Sequence, residues 1–244
     1  RKHLEANLKL ARLVLAAGNV DKALAVSNTT VELAKDSAEV LALRAAVLYK
    51  LDDKNAAVAQ ANAALTKDPN NIDALVVLAT ERLSQKDGVK AIEYLDRGLK
   101  VNEKNVALQL IKIQALESLS RLNVAEDVYK RLISLYPDVR PLRHILAQFY
   151  LSYGRKDDAQ RLYREIAAEN PSDTSAQLDV VRFIFAQQGA EAALRELETL
   201  IGKMPNNHEL KFSKAGLLQS MKNPEGAEAV FKSVIEKAGN EADG

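Results

Sequence analysis

The chain has 244 residues, of which 47% are hydrophobic and 27% are charged, a balance typical of a globular protein rather than a disordered one. Its 34 Lys and Arg nearly cancel its 33 Asp and Glu, so no overall field attracts nucleic acid or an anionic membrane. The absence of cysteine excludes a disulfide, a thiolate nucleophile and a cysteine-based metal site.

The N-terminal stretch, residues 1–18, has basic residues followed by an apolar run, as in a signal peptide. Glu5, Lys9 and Arg12 interrupt that run at helical spacing, which predicts an amphipathic helix instead. No stretch reaches about 18 consecutive apolar residues, so we expect a soluble protein without direct membrane insertion. The sequence is compatible with a location in the cytoplasm or in the periplasm. Because the chain starts without Met, we expect a processed product or a fragment of a longer protein.

An internal repeat runs along almost the whole chain. Pro69, Pro137, Pro171 and Pro205 are separated by multiples of 34 residues, and each lies in a turn-forming stretch. This period divides the chain into seven segments without a gap: 4–37, 38–71, 72–105, 106–139, 140–173, 174–207 and 208–241. The twentieth place is always alanine: Ala23, Ala57, Ala91, Ala125, Ala159, Ala193 and Ala227. Small residues also dominate the eighth place, which predicts two helices in close contact.

Each segment has the pattern of two helices joined by a short turn. In the second segment, apolar residues recur at helical spacing on both sides of the polar residues 52–55. Pro69 disfavours helix at Asp68 and predicts the end of the second helix there. Six segments end at Ser37, Asn71, Asn105, Val139, Asp173 and Asn207. All except Val139 carry a side-chain oxygen that can cap the helix that follows.

This unit resembles the tetratricopeptide repeat, which has 34 residues, small residues at places eight and twenty, and proline at place 32. The resemblance covers residues 4–241. It implies a single all-α domain over residues 1–244, a right-handed α-solenoid superhelix of seven antiparallel helix pairs. In this family the first helices line a concave groove that captures peptides or partner helices. The Lys and Asn of the carboxylate clamp in chaperone-binding members are absent from the matching places.

The family's groove places are two, five, nine and twelve of each first helix. Carrying those places over gives the candidate partner-binding residues Leu8, Arg12, Ala42, Tyr49, Val76, Thr80, Leu83, Leu110, Gln114, Glu117, His144, Gln148, Leu178, Arg182, Phe185 and Phe212. The fifth place is mostly apolar, which suits a hydrophobic helix or an extended peptide. In the alternative interpretation, some of these side chains only pack between neighbouring repeats.

Few residues suggest catalysis or metal binding. The stretch HELKF at His208 resembles the start of a zinc-protease motif, but Phe212 stands where the second His is required. His144 has arginines nearby in sequence and no obvious carboxylate to orient it, which favours a groove-lining or partly solvated side chain. Acids interleave with the basic residues of 140–164, so this stretch predicts a solvated helix face. We therefore expect no enzyme activity, no cofactor and no metal site.

The leading hypothesis is a non-catalytic protein–protein interaction scaffold that binds a peptide or partner helix in its groove. One alternative is a segment of a longer solenoid, with a structural role or end-to-end self-association. Val230, Val234 and Ile235 of the last helix are expected to be exposed, where they either cap the last repeat or await a neighbouring one. Another alternative is the repeat arm of an enzyme, or of an envelope-assembly or secretion complex. The regular, Ala-rich and Cys-free chain resembles long bacterial members of the family with such roles.

Overall fold

The computed structural model describes the backbone of residues 2–242 and the side chains of residues 3–236. Within these residues the chain is all-α, without a β-strand. The helices are α1 (Lys2–Ala16), α2 (Val20–Ala34), α3 (Ala38–Lys50), α4 (Lys54–Lys67), α5 (Ile72–Ser84), α6 (Gly88–Val101), α7 (Val106–Ser118), α8 (Leu122–Leu135), α9 (Arg140–Ser152), α10 (Lys156–Glu169), α11 (Thr174–Gln188), α12 (Ala190–Lys203), α13 (His208–Ser220) and α14 (Pro224–Ala242). Odd-numbered helices are the first helices of the repeats, and even-numbered helices are the second helices.

The helices form two compact units, of which the first ends at Asp138 and the second begins at Val139. Within each unit the two helices of a repeat pack together, and each second helix also packs against the next first helix. This arrangement confirms the predicted helix–turn–helix units. That all seven repeats form one continuous domain stays a prediction.

Alanine at place twenty lies where the two helices of a repeat meet. Ala57, for example, is fully buried in one apolar cluster with Ala45 of the preceding helix and Ala61 of its own helix. All seven alanines at this place are between 0% and 1% exposed. Where two helix backbones are in close contact, only a side chain as small as a methyl group fits between them. The predicted role of the two small-residue places is therefore confirmed.

The turn between the two helices of a repeat requires a left-handed residue. Asp52, Lys86, Ser120 and Lys222 have φ between 55° and 63°, and Gly18 and Gly154 occupy the same place in their repeats. The next amide donates to the carbonyl five residues earlier, as Asp87 N–H does to Arg82, and this bond closes the end of the first helix. In the sixth repeat α11 runs two residues further, to Gln188, and the residue with positive φ is Gly189, one place later than in the other repeats.

Capping side chains begin most of the helices that follow a turn. The predicted caps Asn71, Asn105, Asp173 and Asn207 each accept a hydrogen bond from the backbone three residues on, at 3.1–3.2 Å. The prediction is wrong for Ser37, whose hydroxyl donates to the Glu39 carboxylate and makes no capping bond. Second helices have caps as well, which the sequence analysis did not predict: Asn19, Asp53, Asp87 and Asn223.

In the last helix, α14, the exposure of the apolar side chains differs in part from the prediction. Val234 is 8% exposed and therefore buried, contrary to the prediction. Val230 packs partly buried against Ala215 and Leu218 of the preceding helix. Ile235 is 70% exposed, as expected. None of the described helices combines the length and apolar character needed to span a membrane.

First helices of consecutive repeats contact each other: α1 with α3, α3 with α5 and α5 with α7 in the first unit, and α11 with α13 in the second. Among the described residues, no second helix contacts another second helix. In each unit, contacts between equivalent helices of neighbouring repeats thus involve first helices, which lie on the inner side of the stack, although α9 and α11 make no such backbone contact. We call the exposed surface of the first helices the inner face.

Candidate partner-binding face

The candidate groove residues fall into three groups of exposure. Leu8, Ala42 and Leu178 are 7%, 0% and 5% exposed, because these three side chains pack against the neighbouring helices. The half-buried group is Tyr49, Val76, Thr80, Leu83, Leu110, Glu117 and His144. The exposed group is Arg12, Gln114, Gln148, Arg182, Phe185 and Phe212. The alternative interpretation therefore applies to the first group, whose side chains are mainly packing residues.

In the first unit, Arg12 is held by an ion pair. Its Nε and Nη2 atoms lie 2.8 and 2.7 Å from Oδ2 of Asp73, which is on α5, two first helices further along. Val76 and Leu83 of α5 pack at the edge of an apolar cluster with Leu108 of α7. At these candidate positions the first unit therefore offers a charge that is already paired and apolar side chains that are only partly accessible.

Glu117 stands at the end of α7, also in the first unit. Burial raises the pKa of its carboxyl group above the ordinary value, because a desolvated carboxylate loses hydration energy. The carboxylate is thus held on the inner face at some cost in stability.

In the second unit, His144 has a carboxylate neighbour after all. Its Nε2 atom lies 3.5 Å from Oδ2 of Asp179, on the first helix of the next repeat, and the expectation of no orienting carboxylate is wrong. The other oxygen of Asp179 lies 2.7 Å from Nη1 of Arg182. The signal in the sequence was an acid one repeat and one place further on, which a search among near neighbours in sequence misses.

Two aromatic rings form a chain of contacts that starts at His144. The Tyr163 ring lies 5.7 Å from that of His144 and 5.4 Å from that of Phe183. Burial, and secondarily the charge of Asp179, raise the pKa of the Tyr163 hydroxyl. No Cα atom of α9 lies within 8 Å of a Cα atom of α11, both fully described. These rings and the His144–Asp179 contact therefore link two first helices whose backbones are apart.

A pocket of about 340 Å³ opens between α11 and α13, with α12 beneath it. It brings together three of the candidate residues, Leu178, Arg182 and Phe185. The pocket is completed by Val181, Ala193, Leu197, Ser213, Leu217 and Ser220. The α13 residues of the pocket were not predicted, because they stand at places six, ten and thirteen, outside the family's groove places.

Two phenylalanines on this inner face are unusually accessible. Phe185 is 48% exposed at the pocket, and Phe212 is 50% exposed on α13, with its ring 6.1 Å from that of Phe231. Large aromatic side chains are the residues that most often dominate binding energy at protein interfaces. Their position on the first helices marks this part of the chain as the strongest candidate site.

Two larger cavities, of about 660 and 440 Å³, lie between second helices. One includes Asp96, Leu99 and Gln109, and the other includes the residues two repeat periods further on, Arg164, Ala167 and Gln177. A crevice that recurs at equivalent places is a product of repeat packing. It gives no reason to expect a specific ligand at either position.

The basic stretch of the fifth repeat is engaged in ion pairs. Arg140 contacts Asp173, Arg143 contacts Glu169, and Arg164 binds Glu196 through two bonds of 3.0 Å. Arg155 and Arg161 both contact Asp158. These pairs neutralise the stretch locally, but of the interleaved acids only Asp158 takes part, and the other partners lie outside residues 140–164. Among the described residues, no group of three or more His, Asp or Glu is placed to hold a metal ion.

Comparisons with known proteins agree with this architecture. Two family models described as tetratricopeptide repeat match the chain, one at residues 8–72 and 76–139 and the other at residues 116–180. A comparison with curated proteins finds no match.

Solved structures with a similar fold include several bacterial proteins. The structure of pilF from Pseudomonas aeruginosa has 16% identity, covers 88% of this chain and 98% of that one, and gives a TM-score of 0.60. PilW, described as a type IV pilus biogenesis factor, has 17% identity, with 86% and 98% covered and a TM-score of 0.59. A tetratricopeptide repeat protein from Parabacteroides merdae has 19% identity, with 88% and 83% covered and a TM-score of 0.53. At these identities the similarity supports the fold alone.

Proposed function

The chain belongs to the tetratricopeptide repeat family, whose fold serves as a scaffold for protein–protein interaction, and we propose that it binds a protein partner along the inner face of its second unit. The ligand is a peptide or a helix that presents apolar side chains. The observation that carries this proposal is the pair of half-exposed rings, Phe185 and Phe212, on neighbouring first helices, with Phe185 lining an open pocket.

Physical chemistry supports this assignment. A ring that stays half exposed on a first helix leaves apolar area in water, and a partner gains free energy by covering it. Packed helix pairs hold the two rings in place, so little ordering is required of the scaffold when the partner binds. A surface made of consecutive first helices suits an extended peptide or an amphipathic helix, which contacts several repeats at once.

The first unit contributes less to this proposal. Leu8 and Ala42 are buried, and the charge of Arg12 is already paired with Asp73. A ligand would have to break that ion pair or pass beside it.

A non-catalytic role is part of the proposal. The contacts of His144 are the Asp179 carboxylate and the Tyr163 ring, neither of which is an activated nucleophile. These contacts also join two first helices, which gives His144 a structural role. The tetratricopeptide repeat as a family is a scaffold, which agrees with this interpretation.

A crosslinking pull-down from extract of the source organism tests the proposal. We compare wild type with the double variant Phe185→Asp/Phe212→Asp, and with the control Val89→Asp/Val124→Asp. The control places the same charges at equally exposed valines, 49% and 47%, on second helices. Circular dichroism must show that both variants fold. We expect partners to be lost from the phenylalanine variant alone. Equal recovery by all three proteins would refute binding at the inner face.

A further inference from the structure

We propose that the pocket between α11 and α13 is an anchor site for a peptide in which a large apolar side chain stands next to a carboxylate. This inference rests on the proposed binding at the inner face and specifies the chemistry of its ligand. It commits to a peptide with one apolar and one acidic determinant.

The interior of the pocket is suited to the apolar determinant. Leu178, Val181, Leu197 and Leu217 line it together with Ala193, and Phe185 presents its half-exposed ring. A volume of about 340 Å³ is at the lower end of ligand pockets, which span about 300–1,000 Å³. That space suits one large side chain better than a whole cofactor. An apolar anchor is therefore the expected occupant.

Charge complementarity specifies the acidic determinant. Of the described residues that line the pocket, Arg182 is the one that carries a charge, and its side chain is 68% exposed. A guanidinium group binds a carboxylate through two parallel hydrogen bonds, which gives strength and direction. An acidic residue beside the apolar anchor can therefore bind Arg182.

Arg182 is already paired with Asp179 at 2.7 Å. A ligand carboxylate therefore has to replace Asp179 as the partner of Arg182. Asp179 is only 20% exposed and keeps His144 at 3.5 Å when Arg182 turns towards a ligand. The other nearby cation, Lys214 of α13, is bound to Glu198 at 2.8 Å. Arg182 is thus the charge that we expect to exchange partners, since its side chain is 68% exposed and Asp179 keeps a polar neighbour in His144.

Two serines provide the remaining polar lining. The Ser220 hydroxyl donates to the Leu217 carbonyl at 2.6 Å, so its oxygen is left as an acceptor for a ligand N–H group. Ser213 lies on the same helix, two turns earlier. Hydroxyl groups at the wall satisfy a peptide backbone without adding charge. The polar lining therefore leaves Arg182 to select the acidic side chain.

Selection from a random 12-residue peptide library displayed on phage tests the inference. The immobilised proteins are wild type, Arg182→Glu, Phe185→Ala, Phe212→Asp and the control Arg195→Glu, an exposed arginine on α12. Circular dichroism and thermal unfolding confirm that each protein folds. We expect wild type and Arg195→Glu to enrich peptides with a large apolar residue next to Asp or Glu.

The variants separate the two determinants. Phe185→Ala should reduce retention of those peptides by about thirtyfold, as expected for an aromatic hot spot. Arg182→Glu should reduce it by about tenfold or more, and its own selection should change from acidic to basic residues beside the anchor.

The outcomes also distinguish this inference from the broader proposal. If peptides are lost with Phe212→Asp but not with the two pocket variants, the inner face binds and the pocket assignment is wrong. If apolar peptides are enriched without acidic neighbours, the role of Arg182 is wrong. Peptides that bind every variant equally would overturn both proposals, and a wild type that enriches nothing would overturn the anchor site.

Discussion

The guanidinium group of Arg12 is bound to the carboxylate of Asp73, 61 residues later in the chain, with Nη2 2.7 Å from Oδ2. Arg12 is on α1 and Asp73 is in the first turn of α5, so the pair reaches past α3, the first helix of the repeat between them. Within the first unit the inner side of the stack is thus narrow enough for one side chain to bridge alternate repeats.

This bridge should contribute little to stability, since the two side chains are 44% and 38% exposed. We expect a coupling free energy of about 0.2–1 kcal/mol between Arg12→Ala and Asp73→Asn, and less at high salt. A double-mutant cycle of urea unfolding, at low and high salt, measures it. A coupling of several kcal/mol that does not respond to salt would show that the pair is effectively buried.

The alanines at place twenty should tolerate no larger side chain. Ala57 is fully buried between helices, and we expect Ala57→Leu to lower the free energy of unfolding by about 1–3 kcal/mol through overpacking. Ala59, which is exposed on the same helix, provides the control. Ala59→Leu should change the free energy of unfolding by no more than about 0.5 kcal/mol. Urea unfolding of both variants checks this, and similar losses would contradict the close helix contact.

The helix caps should differ in strength according to their bonds. Asn71 accepts a bond of 3.1 Å from the Ala74 amide, so Asn71→Ala should cost about 1–2 kcal/mol. Ser37 occupies the same place one repeat earlier without a capping bond, and Ser37→Ala should cost clearly less. Thermal unfolding of the two variants compares them directly. The reverse order would contradict the capping assignment.

Glu117 should make stability depend on pH. Burial raises its pKa in the folded protein above that in the unfolded chain, so the folded state binds the proton more tightly. The associated stability is present below the unfolded pKa and is lost as the pH rises through the folded pKa. We expect Glu117→Gln to match wild type in acid and to be the more stable protein at neutral pH. Urea unfolding of both proteins from acid to neutral pH tests this expectation. A variant that is less stable than wild type at neutral pH would contradict the raised pKa of Glu117.

Much of the fold was predictable because the same packing constraint applies to every repeat. Ala57 and its equivalents must be small in each helix pair, so the period is visible in one sequence. Pro69 ends α4 because residue Asp68 before it takes an extended conformation. The turn conformation was not predictable, since residues as different as Lys86 and Ser120 adopt the same left-handed φ under the constraint of packing.

The candidate site was predicted only in part. Places carried over from the family identified Leu178, Arg182 and Phe185, which do line one pocket. Exposure could not be derived in the same way, because equivalent places differ: Ala42 is fully buried whereas Phe212 is half exposed. Contacts between repeats, such as His144 with Asp179, depend on how neighbouring first helices approach, and a single sequence does not specify this distance.

The most direct test of partner binding at the inner face uses the absence of cysteine from the chain. Ser220→Cys introduces one thiol at the pocket with almost no change in volume, and Ser233→Cys introduces one on the second helix α14. The measurement is the rate of maleimide alkylation, with and without the protein recovered in the wild-type pull-down. We predict that the partner slows labelling at position 220 and leaves position 233 unchanged. Protection at position 233 with unhindered labelling at position 220 would contradict binding at the inner face.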